Sequence, residues 1–260
     1  LAKSLKVIGL MNAQFAIKEN QIFLLEANPR ASRTAPFVSK AIGLQLAKLG
    51  ALVMSGLKIK DLNLPKEINN KSYFSVKEAV FPFSKFPEVD VLLGPEMKST
   101  GEVMGFGKTF GEAYFKAQRA AGVILPKTGN VFISVRDHDK EPMCDVALEL
   151  IDMGFKIYAT SGTYIHLKNS GVDCLKINKV KDGHPHIVDM IKNNEVHLII
   201  NTTEGARSIK DSFSIRKEAQ NHKISLTTTV SGAKAFCKAI KFIDDFDALD
   251  LKQRHESISI

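Results

Sequence analysis

The sequence predicts an α/β protein in two parts: a hairpin-and-helix beginning, then a parallel sheet with helices on both faces. Three observations carry this expectation. Beyond residue 129, five short apolar runs alternate with amphipathic stretches of similar length, which is the rhythm of strand and crossover helix. Near the start, two strand-like runs flank the polar turn Lys18-Glu19-Asn20, a hairpin signal. Between these regions, Val123 to Gly129 carries Pro126 and Gly129 and reads as a boundary. The division expected from this is 1–122 and 123–260.

Taken in order, the hairpin strands are expected over Leu10 to Ile17 and Gln21 to Glu26. One helix is expected from Thr34 to Met54, where Phe37, Val38, Ala41, Leu46, Leu49 and Val53 recur at helical spacing, with Ser55-Gly56 as its stop. Asp61 to Ser72 is polar and holds Pro65 and Asn69-Asn70, so it reads as loop. Tyr73 to Phe83 has strand character, and Pro82, Pro87 and Pro95 then interrupt the chain before an Ala-rich amphipathic helix, Thr109 to Ala121, ends at Gly122. The five parallel strands are expected at Val131 to Val135, Lys156 to Ala159, Asp173 to Ile177, His197 to Asn201 and Lys223 to Thr227. Their helices fall at Glu141 to Met153, Gly162 to Asn169, His186 to Asn193, Ser208 to Gln220 and Ala233 to Ile240.

Composition narrows the function classes. Hydrophobic residues at 44% and charged residues at 25% are the balance of a soluble globular chain. The net charge of +8 suits anionic ligands, but the basic residues are dispersed, and the chain has no Trp and four Tyr, so phosphates or nucleotides are preferred over nucleic acid. Cys144, Cys174 and Cys237 are too far apart for a Cys-x-x-Cys site and read as reduced thiols of a cytoplasmic protein. No apolar run approaches the ~20 residues that span a bilayer, so no membrane association is expected. The first residues carry no signal-peptide pattern and no initiating Met, which suggests a fragment.

The most specific chemistry lies in Phe23-Leu24-Leu25-Glu26-Ala27-Asn28-Pro29-Arg30. A strand ending in a carboxylate, then an amide oxygen, then Arg30 and Arg33 suits a divalent metal with a polyphosphate, and Gln14 on the partner strand offers another oxygen. An ordinary surface hairpin whose Glu and Arg residues pair with each other remains open at this point. Gly101 to Thr109 (GEVMGFGKT) is superficially like a phosphate-binding loop, yet five residues separate Gly101 from Gly107 where four are required, so it reads as a structural turn.

In the second half, polar residues follow the strands. Lys140 comes after the first, Thr160 to Thr163 after the second, Lys179 after the third, and Asn201 to Thr203 after the fourth. Ligands of open α/β sheets bind at those carboxyl ends, near helix N-termini, so hydroxyls and two lysines converging there form a phosphate cradle. Helix capping alone also favours Thr160 and Asn201. His184 and His186, around Pro185, have the look of a metal pair, but a loop and helix-start role beside the nucleotide is favoured.

The segment MNAQFAIKENQIFLLEANPRASRTAPFVSKAIG resembles the end of an ATP-grasp domain, specifically the second ATP-grasp unit of the carbamoyl-phosphate synthase large subunit. The likeness continues through YFSVKEAVFPFSKFPEVDVLLGPEMKSTGEVMGFGKTFGEAYFKAQ, Lys140, Thr160-Ser161-Gly162-Thr163, Asn178-Lys179 and Ile200-Asn201-Thr202-Thr203, and so covers the chain. The fold this implies is the C-terminal part of a carbamoyl-phosphate-forming ATP-grasp domain over 1–122, followed by a Rossmann-like, parallel-sheet, methylglyoxal-synthase-like domain over 123–260. Within it, Gln14, Glu26 and Asn28 match metal positions for Mg or Mn, and Arg30 and Arg33 match catalytic arginines beside the phosphates of ATP. The reaction implied is phosphorylation of carbamate, with glutamine as the nitrogen source, for pyrimidine and arginine synthesis. These residues alone are expected to be inactive, because the part of an ATP-grasp domain that holds the adenine is not among them.

For the second domain the resemblance implies an allosteric site for UMP or IMP. Ser134, Lys140, Thr160, Thr163, Lys179, Asn201 and Thr203 match its nucleotide contacts. The partners implied are the rest of the large chain, a small glutamine amidotransferase subunit and nucleoside monophosphates, in an oligomeric full enzyme. An ornithine site in enterobacterial relatives uses a Glu, present as Glu78, and a Tyr-Asp-Thr run that here reads Leu226-Thr227-Thr228. A weak or absent ornithine response is therefore expected. Two other readings are a stand-alone nucleotide sensor and a methylglyoxal-synthase-like lyase. Glu204-Gly205-Ala206-Arg207 lacks the lyase's catalytic Asp, which argues against the second.

Overall fold

A computed structural model describes residues 1–65, 73–86, 89–94, 96–245 and 247–256. The chain forms two compact units, Leu1–Ser72 with Asp247–Ile260, and Tyr73–Phe246. The expected boundary at 122/123 lies inside the second unit.

The first unit opens on an antiparallel hairpin, β1 (Asn12–Lys18) and β2 (Gln21–Asn28). Glu19 and Asn20 both have positive φ, 50° and 63°, which is the two-residue turn whose twist matches that of the flanking strands. A bulge between Gln14 and Phe15 resets the pairing from Gln14 opposite Glu26 to Phe15 opposite Leu24. Where a single helix was expected over Thr34 to Met54 there are two, α1 (Thr34–Ile42) and α2 (Leu46–Met54), bent by 111°. Gly43, at φ 74°, ends α1 in the left-handed conformation that glycine adopts without a side-chain penalty. A further short helix, α10 (Leu251–Glu256), lies near α1. No single helix among the described residues is long and apolar enough to cross a membrane.

The second unit starts with an antiparallel pair, β3 (Phe74–Val80) and β4 (Gly101–Gly107), covered by α3 (Phe110–Ala120). The stretch Gly101 to Thr109, expected to be a turn, is thus a strand for most of its length, and two of its glycines, Gly105 and Gly107, have a packing cause. A Cβ on Gly105 would sit 1.9 Å from the Ala113 carbonyl oxygen and 2.5 Å from the Ala117 nitrogen. The helix lies against bare backbone, with its own Ala113 and Ala117 fully buried at the contact. Gly105→Ala should therefore lower the unit's stability by about 1 to 3 kcal/mol. A urea titration reporting an unchanged midpoint would contradict this packing.

The remainder is a five-stranded parallel sheet of order β7-β6-β5-β8-β9, comprising β5 (Gly129–Ser134), β6 (Phe155–Thr160), β7 (Leu175–Ile177), β8 (Leu198–Asn201) and β9 (Ser225–Thr227). Its helices are α4 (Lys140–Asp152), α5 (Ser161–Asn169), α6 (Ile187–Lys192), α7 (Gly205–Asp211), α8 (Phe213–Asn221) and α9 (Val230–Ile240). The helix expected over Ser208 to Gln220 is the broken pair α7 and α8, parted at Ser212. Val131 and Ile133 of β5 face one core with Met143, Leu150, Leu167 and Phe236, while Phe132 faces a second core with Ile187, Ile191 and Ile215. That alternation is the period of two of a strand buried on both sides. Because β5 leads to β6 on one side and β8 lies on the other, the chain reverses direction of travel between β5 and β8. Open sheets of this kind present a crevice at that point.

Candidate functional site

A cavity of about 830 Å³ opens at the carboxyl ends of β5 and β8. Its wall includes Ser134, Arg136, Asp137, Lys179, Asn201 and Thr202. Register places Ser134 beside Asn201, and the Asn201 amide nitrogen donates to the Ser134 carbonyl at 3.2 Å. The Oδ1 atom of Asn201 has no hydrogen-bond partner, although the residue is 1% exposed. A buried carbonyl without a donor is costly, so such a group lining a cavity is a strong point of attachment for an incoming N–H or O–H.

The hydroxyls expected to serve the site have structural partners. Ser134 Oγ and Thr160 Oγ1 are 2.9 Å apart, and Thr163 Oγ1 accepts from the Val135 backbone N–H at 3.1 Å. Thr160 stands at the N-cap position of α5, yet its side chain makes no capping bond. Asn201 is no cap either, since Glu204 occupies that position for α7. Capping therefore explains neither residue; each instead bonds Ser134 at the end of β5, Thr160 through its hydroxyl and Asn201 through its amide nitrogen. Thr202 Oγ1 accepts from the Arg136 backbone N–H at 3.1 Å, which closes the β5 and β8 loops on one another. Thr203 is half-buried and lies off the cavity wall.

Charge gathers at the rim. The Lys140 ammonium is 2.7 Å from Asp137 Oδ1 and lies over the start of α5, where a Cβ on Gly162 would meet it at 3.4 Å. Asp137 is held below the usual carboxylate range by its hydrogen bond and charge contact with Lys140, helped by the nearby charge of Lys179. Lys181 pairs with Asp211 at 3.2 Å, and Arg136 with Asp139 at 2.8 Å, whereas Lys179 is exposed on the wall. Burial alone would push the Asp139 carboxyl up, but hydrogen bonds from Arg136 and Thr202 outweigh it and hold the group low. Sequence reasoning missed Arg136 and Asp137, because the turn that presents them, Asp137–Asp139, has no apolar periodicity.

Two candidate groups lie elsewhere. On the hairpin, Gln14 is opposite Glu26, and Asn28 Nδ2 donates to Glu26 Oε1 at 3.1 Å, so three oxygen-bearing side chains gather at one end of it. Arg30 is exposed and bonds the Ala31 carbonyl, and Arg33 stands at the N-cap of α1. An all-oxygen donor set of this kind fits a hard divalent cation. Glu78, on β3, is pushed up by burial against an opposing hydrogen bond from Gln118, and it helps raise the Tyr114 hydroxyl to about 12, burial being the larger cause. Thr228 lies between β9 and Thr229, the N-cap of α9.

His186 caps α6, accepting from the Asp189 backbone N–H at 3.4 Å, while His184 Nδ1 is 2.6 Å from Asp189 Oδ2. These are contacts of a helix start, in keeping with the loop role expected for the pair.

Comparison with known proteins adds the following. The family model described as MGS-like domain matches residues 142–228, and that described as carbamoyl-phosphate synthase L chain, ATP binding domain, matches residues 1–62. Carbamoyl phosphate synthase large chain of Pseudomonas syringae is 54% identical over 99% of this chain, which spans 24% of that relative. Those of Xanthomonas axonopodis and Ralstonia nicotianae are 50% and 49% identical over 99% of the chain and again 24% of the relative. The chain thus spans about a quarter of the length of the curated relatives it matches.

Proposed function

From a chain similar along its whole length to part of carbamoyl phosphate synthase large chains, we infer that these 260 residues serve a glutamine-hydrolysing synthase, carrying one wall of an ATP site and a regulatory nucleotide site. The regulatory reading rests chiefly on Asn201 Oδ1, the buried and unpartnered acceptor lining the crevice between β5 and β8. A nucleoside monophosphate suits that crevice. Its base or ribose supplies the donor to Asn201, and its phosphate meets Lys179 and the start of α5, with Lys140 behind. The proposed extent of this domain is 123–260, although residues 73–122 pack within the same compact unit.

At the hairpin, Gln14, Glu26 and Asn28 would hold Mg²⁺ or Mn²⁺, and Arg30 and Arg33 would take phosphate oxygens of ATP. The metal supplies charge neutralisation during transfer of the γ-phosphoryl group to carbamate. The chain's own residues orient and pair with the phosphates, and without the adenine-holding part they are inactive by themselves. The setting proposed is the cytoplasm, in an oligomer with the small amidotransferase subunit, for pyrimidine and arginine synthesis. With Leu226-Thr227-Thr228 offering no carboxylate to an ammonium group, ornithine leaves the full synthase largely unaffected.

The test is calorimetric titration of the chain with UMP and with IMP. Saturable binding of either at one site is the expected result, and binding of neither would overturn the regulatory reading.

A further inference from the structure

Away from the cavity wall, where α4 meets α5 at the edge of the core, three side chains of different chemistry turn toward one another. They are Glu141 and Cys144, three residues apart on α4, and His166 on α5. Glu141 Oε2, Cys144 Sγ and His166 Nε2 all lie within 4.8 Å of one another. His166 Nε2 is 3.2 Å from Glu141 Oε2, yet it makes no aligned hydrogen bond, although the atom is shielded from solvent. Cys144 is 8% exposed and its thiol has only a weak contact, 3.5 Å, with the Lys140 carbonyl.

We propose that Glu141, Cys144 and His166 form a binding site for a borderline-soft divalent cation such as Zn²⁺, with water as the fourth ligand. The donor set of thiolate, imidazole and carboxylate is the one zinc accepts, and the thiolate makes Mg²⁺ or Ca²⁺ a poor occupant. Distance supports this group over the other cluster of His, Cys and carboxylate side chains among the described residues, His184, His186 and Asp189. A tetrahedral zinc with arms of about 2.0 to 2.3 Å sets its donors roughly 3.3 to 3.6 Å apart. The 3.2 Å between Glu141 and His166 is close to that edge. The Cys144 sulfur lies within 4.8 Å of both, and the Glu141 side chain, 85% exposed, has room to adjust to the metal. By contrast, His184 and Asp189 stand at 2.6 Å, a hydrogen bond with no room for a metal between the two atoms. Binding converts the Cys144 thiol to thiolate and releases its proton to solvent, so affinity falls as pH is lowered.

The experiment uses Co²⁺ as a chromophoric stand-in, added to the reduced chain and then displaced by Zn²⁺. A tetrahedral thiolate site gives visible d–d bands and a near-ultraviolet sulfur-to-metal charge-transfer band, and both should saturate at one equivalent. Cys144→Ser should abolish the charge-transfer band. Glu141→Gln, a change at an exposed side chain that keeps its size, should weaken binding at least tenfold. His184→Ala should leave the spectrum unchanged. Absence of the charge-transfer band, its survival in Cys144→Ser, or its loss in His184→Ala would each overturn the assignment.

Discussion

Asp90→Ala should destabilise the unit formed by residues 73–246 by about 3 kcal/mol, because it strands a charge in the interior. Arg216 on α8 is 1% exposed, and its Nε and Nη2 donate to the two carboxylate oxygens of Asp90 at 2.7 and 2.6 Å. Nη2 also donates to the Ile209 carbonyl, while Nη1 has no partner. Breaking a buried pair from one side costs about 3 to 5 kcal/mol. The lower end applies because Asp90 keeps 25% exposure, so water can partly replace it. The pair also imposes a pH dependence. Burial would push the Asp90 carboxyl up, but the hydrogen bond and charge of Arg216 outweigh it and hold the folded-state value below the usual range. A depressed carboxylate contributes stability that is present above its unfolded pKa, roughly 3.9, and lost as pH falls through the folded value. Urea unfolding at neutral pH and at about pH 3 should therefore show the gap between wild type and variant narrowing in acid. An equal gap at both pH values would mean that the carboxylate does not act through its charge.

Lys179→Ala should raise the dissociation constant for UMP or IMP by one to two decades and leave the unfolding midpoint unchanged. A charge-assisted hydrogen bond contributes about 1.5 to 3 kcal/mol. Lys179 is exposed on the cavity wall, so the fold does not depend on it. Lys181→Ala supplies the comparison, since its ammonium pairs with Asp211 and should matter less to a phosphate. Thr160→Ala should also weaken binding, acting through Ser134, whose hydroxyl would lose its neighbour at 2.9 Å. Calorimetry giving equal affinities for wild type and both Lys179→Ala and Thr160→Ala would remove those two residues from the site.

The parallel sheet was legible because its central strands β5 and β8 are apolar on both faces and the helices follow at regular intervals. The hairpin was legible from a turn that Glu19 and Asn20 suit. β4 was missed, since GEVMGFG has the composition of a turn, and only the Ala113 and Ala117 backbone lying over Gly105 explains glycine in a strand. The break at Gly43 was hidden by apolar spacing that continues in phase through it. At the cavity, the strand-end positions of Lys179 and Asn201 were readable, because ligands of such sheets gather there, while Ser134 came only from the family resemblance. Arg136 and Asp137 were not, since a short turn leaves no periodic trace. Nor was Asp90 with Arg216, for no local pattern links residues 126 positions apart.

The strand order has a consequence for synthesis. β5 is the first strand of the sheet to be made and becomes its central one, but its second neighbour, β8, lies far along the chain: Ser134 and Asn201 are 67 residues apart. At translation speeds of about 5 to 20 residues per second, a ribosome needs roughly 3 to 13 s to cross that interval. Throughout it, β5 has an open hydrogen-bonding edge and a very apolar sequence, Val131-Phe132-Ile133, of the kind that invites pairing with another nascent chain. Ribosomes crowded on one message, or a pause between codons 134 and 201, should thus lower the soluble yield more than an equal delay placed after β8.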